Sequence, residues 1–226
     1  MPFPPELPRL PDRPTEALPL RGVTVLVVED SRFACDALRL ILARSGARLR
    51  RAETLAGGRL HLAHHRPDLA IIDLGLPDGR GELLIAEAGA LGLPVLACSG
   101  DPDARAQALE AGAVAFVDKP LPSAAGLVRL IRQLVTGLGP VAVSAGFAPA
   151  SGDPLALRDD LERAAALVAG GGLTDPAYAK GFVRSLARAA GDPALERAAL
   201  AAGDEPGKRA LVQLLQQRLQ AAQPVA

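Results

Sequence analysis

Residues 23–30 read VTVLVVED, six apolar or β-branched residues closed by two acids. A strand with one face in water alternates apolar and polar side chains; this run does not, so both of its faces must be covered. Three further runs share its character: LAIID (69–73), PVLAC (94–98) and AVAFV (113–117). A fifth, ARLRRA (47–52), carries three arginines and fits only at a sheet edge. Between these runs, residues 32–45, 55–65, 80–91, 102–111 and 124–137 show helical spacing; Leu38, Ile41, Leu42 and Ser45 share one face of the first. Five strands alternating with five helices predict a right-handed, doubly wound α/β unit with a five-stranded parallel sheet over residues 21–138.

Around this unit the composition changes. Seven prolines in residues 1–20 forbid a helix, and the stretch reads as an extended tail. Residues 139–152 form a linker of small residues. In residues 153–226, Asp153-Pro154, Asp175-Pro176, Asp192-Pro193 and Asp204-Glu205-Pro206 each place a capping carboxylate just ahead of a proline suited to a first helical turn. Gly170, Gly191 and Gly203 stand where helices should stop. A small all-α module follows, with helices near 154–169, 176–190, 193–202 and 206–221.

Composition narrows the function. Of 226 residues 49% are hydrophobic and 22% charged, enough for a buried core. The 25 basic and 25 acidic residues cancel, which disfavours a chain built mainly to neutralise nucleic-acid phosphates. No apolar run is long enough to span a bilayer and the N-terminus has no signal pattern, so a cytoplasmic protein without membrane association is expected. Cys35 and Cys98 are the two cysteines and suggest neither a disulfide framework nor a metal site.

In an open parallel sheet, ligands bind beyond the carboxyl ends of the strands. Those ends carry Glu29-Asp30, Asp73, Ser99 and Lys119-Pro120. Carboxylates gathered there repel and must hold a proton or a cation. Hard oxygen ligands suit Mg²⁺, and a lysine with a hydroxyl would stabilise a transferring phosphoryl group. The residues therefore point to a Mg²⁺-dependent phosphoryl-handling site with a carboxylate as nucleophile. Taken alone, Asp73 would read as a loop or capping carboxylate; its company changes that. His61 and His65, four apart in the polar cluster HLAHHRP, read as a solvated helix end.

At VLVVED (25–30), IIDLGLPDGRG (71–81), VLACSG (95–100) and FVDKP (116–120) the chain resembles the receiver domain of two-component response regulators. The resemblance implies a flavodoxin-like sheet of order 2-1-3-4-5. It implies Asp73 as phospho-acceptor and Glu29, Asp30, Asp73 and the Gly75 carbonyl around Mg²⁺. Lys119 would contact the phosphoryl oxygen, and Ser99 and Phe116 would form the switch. Pro120 would follow a cis peptide bond. Glu29 and Ser99 stand where Asp and Thr are commoner in the family.

The implied donor is a sensor histidine kinase or a histidine phosphotransfer protein. The receiver would catalyse its own modification and turn over no external metabolite, so it is not expected to be an enzyme in the usual sense. Residues 153–226 contain no histidine and balance 9 basic against 9 acidic residues, with no recognition helix in evidence. They read as an output module for an unidentified protein or for a second copy of the chain. Nucleic acid is not the expected partner, and DNA binding is the alternative.

Overall fold

The computed structural model describes residues 16–101, 103–137, 153–170 and 175–222. The expected linker at 139–152 and most of the expected tail, residues 1–15, lie outside these. Strands β1 (Thr24–Val28), β2 (Arg48–Ala52) and β3 (Leu69–Asp73) are followed by a short antiparallel hairpin, β4 (Gly75–Leu76) and β5 (Gly79–Arg80); β6 (Val95–Ser99) and β7 (Ala115–Asp118) complete the set. The main sheet is parallel throughout, in the order β2-β1-β3-β6-β7. That is the expected topology with the hairpin strands left out of the count, and the arginine-rich β2 lies at the edge.

The uninterrupted apolar runs have a direct cause. Val25, Val27, Leu69, Ile71, Leu96 and Val117 bury one sheet face beneath α1 (Arg32–Arg44) and α5 (Ala124–Thr136). Leu26, Val28, Ala70, Ile72, Ala97 and Phe116 bury the other beneath α2 (Leu55–His64), α3 (Gly81–Ala90) and α4 (Ala104–Glu110). One correction concerns the tail. Leu20, placed there by its proline-rich surroundings, is fully buried in the first of these layers, and its N–H donates to Ser45 O at 2.9 Å. Prolines exclude a helix but say nothing about burial.

Four helices follow: α6 (Pro154–Ala169), α7 (Pro176–Ala189), α8 (Pro193–Ala201) and α9 (Glu205–Ala221). The Asp-Pro signals act as expected. Asp153, Asp175, Asp192 and Asp204 accept from the backbone N–H of Leu155, Ala177, Ala194 and Gly207, meeting donors that a first turn leaves without partners. Gly191 takes φ +67°, a left-handed conformation that favours glycine, where α7 ends. Leu161, Phe182, Val183, Leu186, Leu195, Leu211 and Leu215 form the module's core, and Phe33 of α1 is buried among them. The two halves of the chain therefore share apolar packing. No described helix is long and apolar enough to cross a membrane.

Candidate phosphoryl site and the family it defines

β1 hands directly to Glu29 and Asp30, β3 ends on Asp73, β6 ends on Ser99, and β7 leads into Lys119, whose peptide bond to Pro120 is cis. Parallel strands end on the same side of the sheet, so residues far apart in sequence converge. Glu29, Asp30, Asp73, Ser99 and Lys119 are all buried. Ligand oxygens of Glu29, Asp30 and Asp73 lie within 4.8 Å of one another. Lys119 Nζ sits 2.7 Å from Asp73 Oδ2 and 2.7 Å from Glu29 Oε2.

The loop after β3 is shaped by two residues whose part in it the sequence reading did not single out. Asp78 accepts from Leu55 N and Ala56 N at 2.7 and 2.9 Å, pinning the first turn of α2. Gly81 packs so closely that a Cβ there would lie 2.1 Å from Asp73 O, so only glycine lets α3 begin at this point. Gly75 N donates to Asp73 Oδ1 at 3.3 Å.

Electrostatics follow from burial. Desolvation pushes Glu29 up to about 8, against the pull of Lys119 and with the repulsion of Asp73 and Asp30. Desolvation raises Asp30 to about 6, opposed by its hydrogen bond from Tyr178 and assisted by Asp73. Burial disfavours charge on Lys119 too, but Asp73 and Glu29 overcome it and hold the ammonium well above the usual lysine range. Three buried carboxylates thus face one lysine. Their oxygen donors and mutual spacing fit a small hard divalent cation such as Mg²⁺.

The expected switch residues are placed as follows. Ser99 Oγ accepts from Asp101 N at 3.0 Å, within its own loop. Phe116 is already buried, with the Arg105 guanidinium 4.9 Å from its ring centroid. His61 and His65 stack at 5.6 Å, with His61 Nε2 3.0 Å from Arg51 O; they stay outside the acidic cluster. Both cysteines are buried and unbridged.

A further set of contacts comes from the helical module. Arg163 of α6 donates to Asp30 O at 2.8 Å and to Asp30 Oδ2 at 3.1 Å. Tyr178 of α7 donates to the same Oδ2 at 2.5 Å, and Ser185 lies 2.8 Å from Lys119 Nζ. Asp160 of α6 accepts from Ser31 Oγ, Phe33 N and Arg32 N at 2.7, 3.0 and 3.1 Å, capping α1 alongside Ser31 itself. A cleft of about 560 Å³ runs between α7 and the strand ends.

A parallel sheet of this order, with buried acids at the ends of β1 and β3 and a lysine after β7, defines a receiver of the response-regulator type. Residues 25–132 match the family model described as the response regulator receiver domain. The chain is 40% identical over 99 residues to the KDP operon transcriptional regulatory protein KdpE of Escherichia coli (strain K12), covering 42% of this chain and 44% of that protein. It is also 40% identical over 101 residues to the virulence transcriptional regulatory protein PhoP of Salmonella typhimurium (strain 14028s / SGSC 2262), covering 42% and 45%. The chain thus spans under half the length of the curated relatives it matches. A solved CheY-like receiver domain protein from Methanospirillum hungatei JF-1 aligns at 26% identity and a TM-score of 0.48, over 51% of this chain and 94% of that one. The family match ends at residue 132, so α6–α9 lie beyond it. Because these curated relatives are transcriptional regulators by name, the expectation against a nucleic-acid partner gains nothing from them.

Proposed function

We infer that the chain is a phosphorylation-gated signalling switch whose acceptor is Asp73. The observation that carries this reading is the position of Lys119 Nζ, 2.7 Å from both Asp73 and Glu29 inside a buried acidic cluster. Asp73 attacks the phosphorus of a phosphohistidine on a histidine kinase or phosphotransfer protein; the P–N bond breaks as the acyl phosphate forms. Glu29, Asp30, Asp73 and the Gly75 carbonyl would hold Mg²⁺, which supplies charge neutralisation for the transferring group. Lys119 exchanges its contact with the Asp73 carboxylate for one with a phosphoryl oxygen. Ser99 is drawn from Asp101 towards the new oxygens, and Phe116, already seated inward, fixes the rearranged surface. The change is passed to α6–α9, which act on an output protein or on a second copy of the chain.

Acetyl phosphate with Mg²⁺ should add the mass of one phosphoryl group, and Asp73→Asn should abolish the addition. Labelling that survives the substitution would refute the assignment. A second reading, DNA as the output target, is favoured by the names of KdpE and PhoP. It requires retention on duplex DNA that weakens steeply with salt.

A further inference from the structure

Asp30 Oδ2 accepts from both Arg163 Nη2 and Tyr178 Oη, while Arg163 Nη1 also holds the Asp30 carbonyl. That oxygen is one of the hard donors in the acidic cluster, and its hydrogen-bonding capacity is filled by residues of α6 and α7. Arg163 supplies positive charge beside Asp30 and is itself held by Tyr178 at 2.7 Å, with its guanidinium 4.7 Å from the Phe182 ring centroid. Ser185 meets the ammonium of Lys119, and Arg184 stands 3.7 Å from Asp101. The α7 backbone passes so near the β6 loop that a Cβ on Gly100 would lie 3.0 Å from Ser185 Cα. Asp30 and Lys119, two of the groups that the acidic pocket would turn towards a metal or a phosphoryl group, are thus occupied in part by the chain's own C-terminal half.

We propose that α6 and α7 form an intramolecular cap on the acidic pocket, in which Arg163 and Tyr178 compete with Mg²⁺ for Asp30 and Ser185 competes with the phosphoryl group for Lys119. The proposal rests on the reading of this pocket as the receiver's metal and phosphoryl site. Loading the pocket frees the Arg163–Tyr178 pair, and the face of α6 and α7 that covered it becomes available to a partner. The remaining cleft admits a small phosphoryl donor, whereas a protein donor must displace α7. Asp160 and Phe33 hold α6 on the first turn of α1 through contacts separate from those of Arg163 and Tyr178, so the side chains over the pocket can let go while the module stays attached.

Tyr178 is the one tyrosine in the sequence, and there is no tryptophan. Intrinsic emission of the full chain therefore reports on this contact. Titration with MgCl₂ should raise Tyr178 emission saturably, with the midpoint found by calorimetry of the same titration. Tyr178→Phe, which removes only a hydroxyl, and Arg163→Ala should each tighten Mg²⁺ binding, on the order of tenfold for one charge-assisted contact. Circular dichroism should show both variants as helical as the parent. Binding registered by calorimetry without any change in emission would overturn the cap. So would variants that bind Mg²⁺ no better than the parent, or worse, since the pair would then support the metal rather than oppose it. The underlying reading fails separately: Asp30→Asn should lose Mg²⁺ binding, and if it binds as the parent does, or if the parent itself binds no Mg²⁺, the pocket is not a metal site that uses Asp30.

Discussion

Asp160 of α6 caps a helix it does not belong to. Its carboxylate accepts from Ser31 Oγ and from the backbone N–H groups of Arg32 and Phe33, joining residues 127 to 129 positions apart. The first turn of α1 leaves such donors unmatched, and a carboxylate there also meets the positive end of the helix dipole. The side chain is buried, so nothing from solvent replaces it readily.

Asp160→Ala should therefore cost roughly 2–4 kcal/mol, more than an ordinary exposed cap, because two amides and a hydroxyl are left buried without their acceptor. Urea unfolding followed by circular dichroism measures it. Asp160→Asn, which keeps one acceptor oxygen, should recover part of the loss.

The pH dependence of stability has a definite sign. Glu29 is raised to about 8 and Asp30 to about 6, so the metal-free folded state holds protons that the unfolded chain releases. Their contribution is complete below the ordinary carboxylate values near 4, declines as pH rises, and is gone above about 8. Melting temperature without Mg²⁺ should fall across that window from these groups, and Glu29→Gln should flatten the upper part of it.

Gly81→Ala should damage both stability and phosphorylation. The added carbon would meet Asp73 O at 2.1 Å and Leu74 Cα at 2.8 Å, both backbone atoms that cannot swing aside. A cost of about 3 kcal/mol or more is expected from such overpacking, together with misplacement of the Asp73 carboxylate. A thermal melt and the acetyl phosphate mass assay report the two effects.

Lys119→Ala should leave Glu29 and Asp73 buried with no cation at 2.7 Å. Breaking a buried pair from one side costs roughly 3–5 kcal/mol. Added Mg²⁺ should recover much of that stability, whereas the conformational response to beryllofluoride should be blunted. A full response in the variant would show that Lys119 does not read the phosphoryl group.

The sheet and the acidic pocket were legible because each depends on local patterns repeated at strand ends. Runs such as LAIID announce coverage on both faces, and a parallel sheet brings Asp30, Asp73 and Lys119 to one edge once its order is known. The cap was not legible. Asp160 and Arg163 lie three apart on α6 among Arg158, Asp159 and Glu162, so they read as one more solvated charged face; nothing in helical periodicity separates the two that turn inward. Tyr178 packs its ring against the module's apolar core while its hydroxyl reaches across to Asp30. Leu20 departs from the expectation for a different reason, since its local company is proline although it is buried in one layer with residues of β1 and α1. Contacts between residues more than a hundred positions apart leave no spacing to detect.

Phe33 grows from α1 yet lies in the apolar interior of α6–α9. Cutting the chain after α5 would therefore do more than remove four helices. It would open an aromatic surface beside Leu121 and Ala37, and at the same time take the carboxylate from the start of α1. Residues up to α5 isolated this way would be prone to self-association through a face that α6–α9 otherwise cover, and their phosphorylation kinetics and oligomeric mass would describe that exposed face.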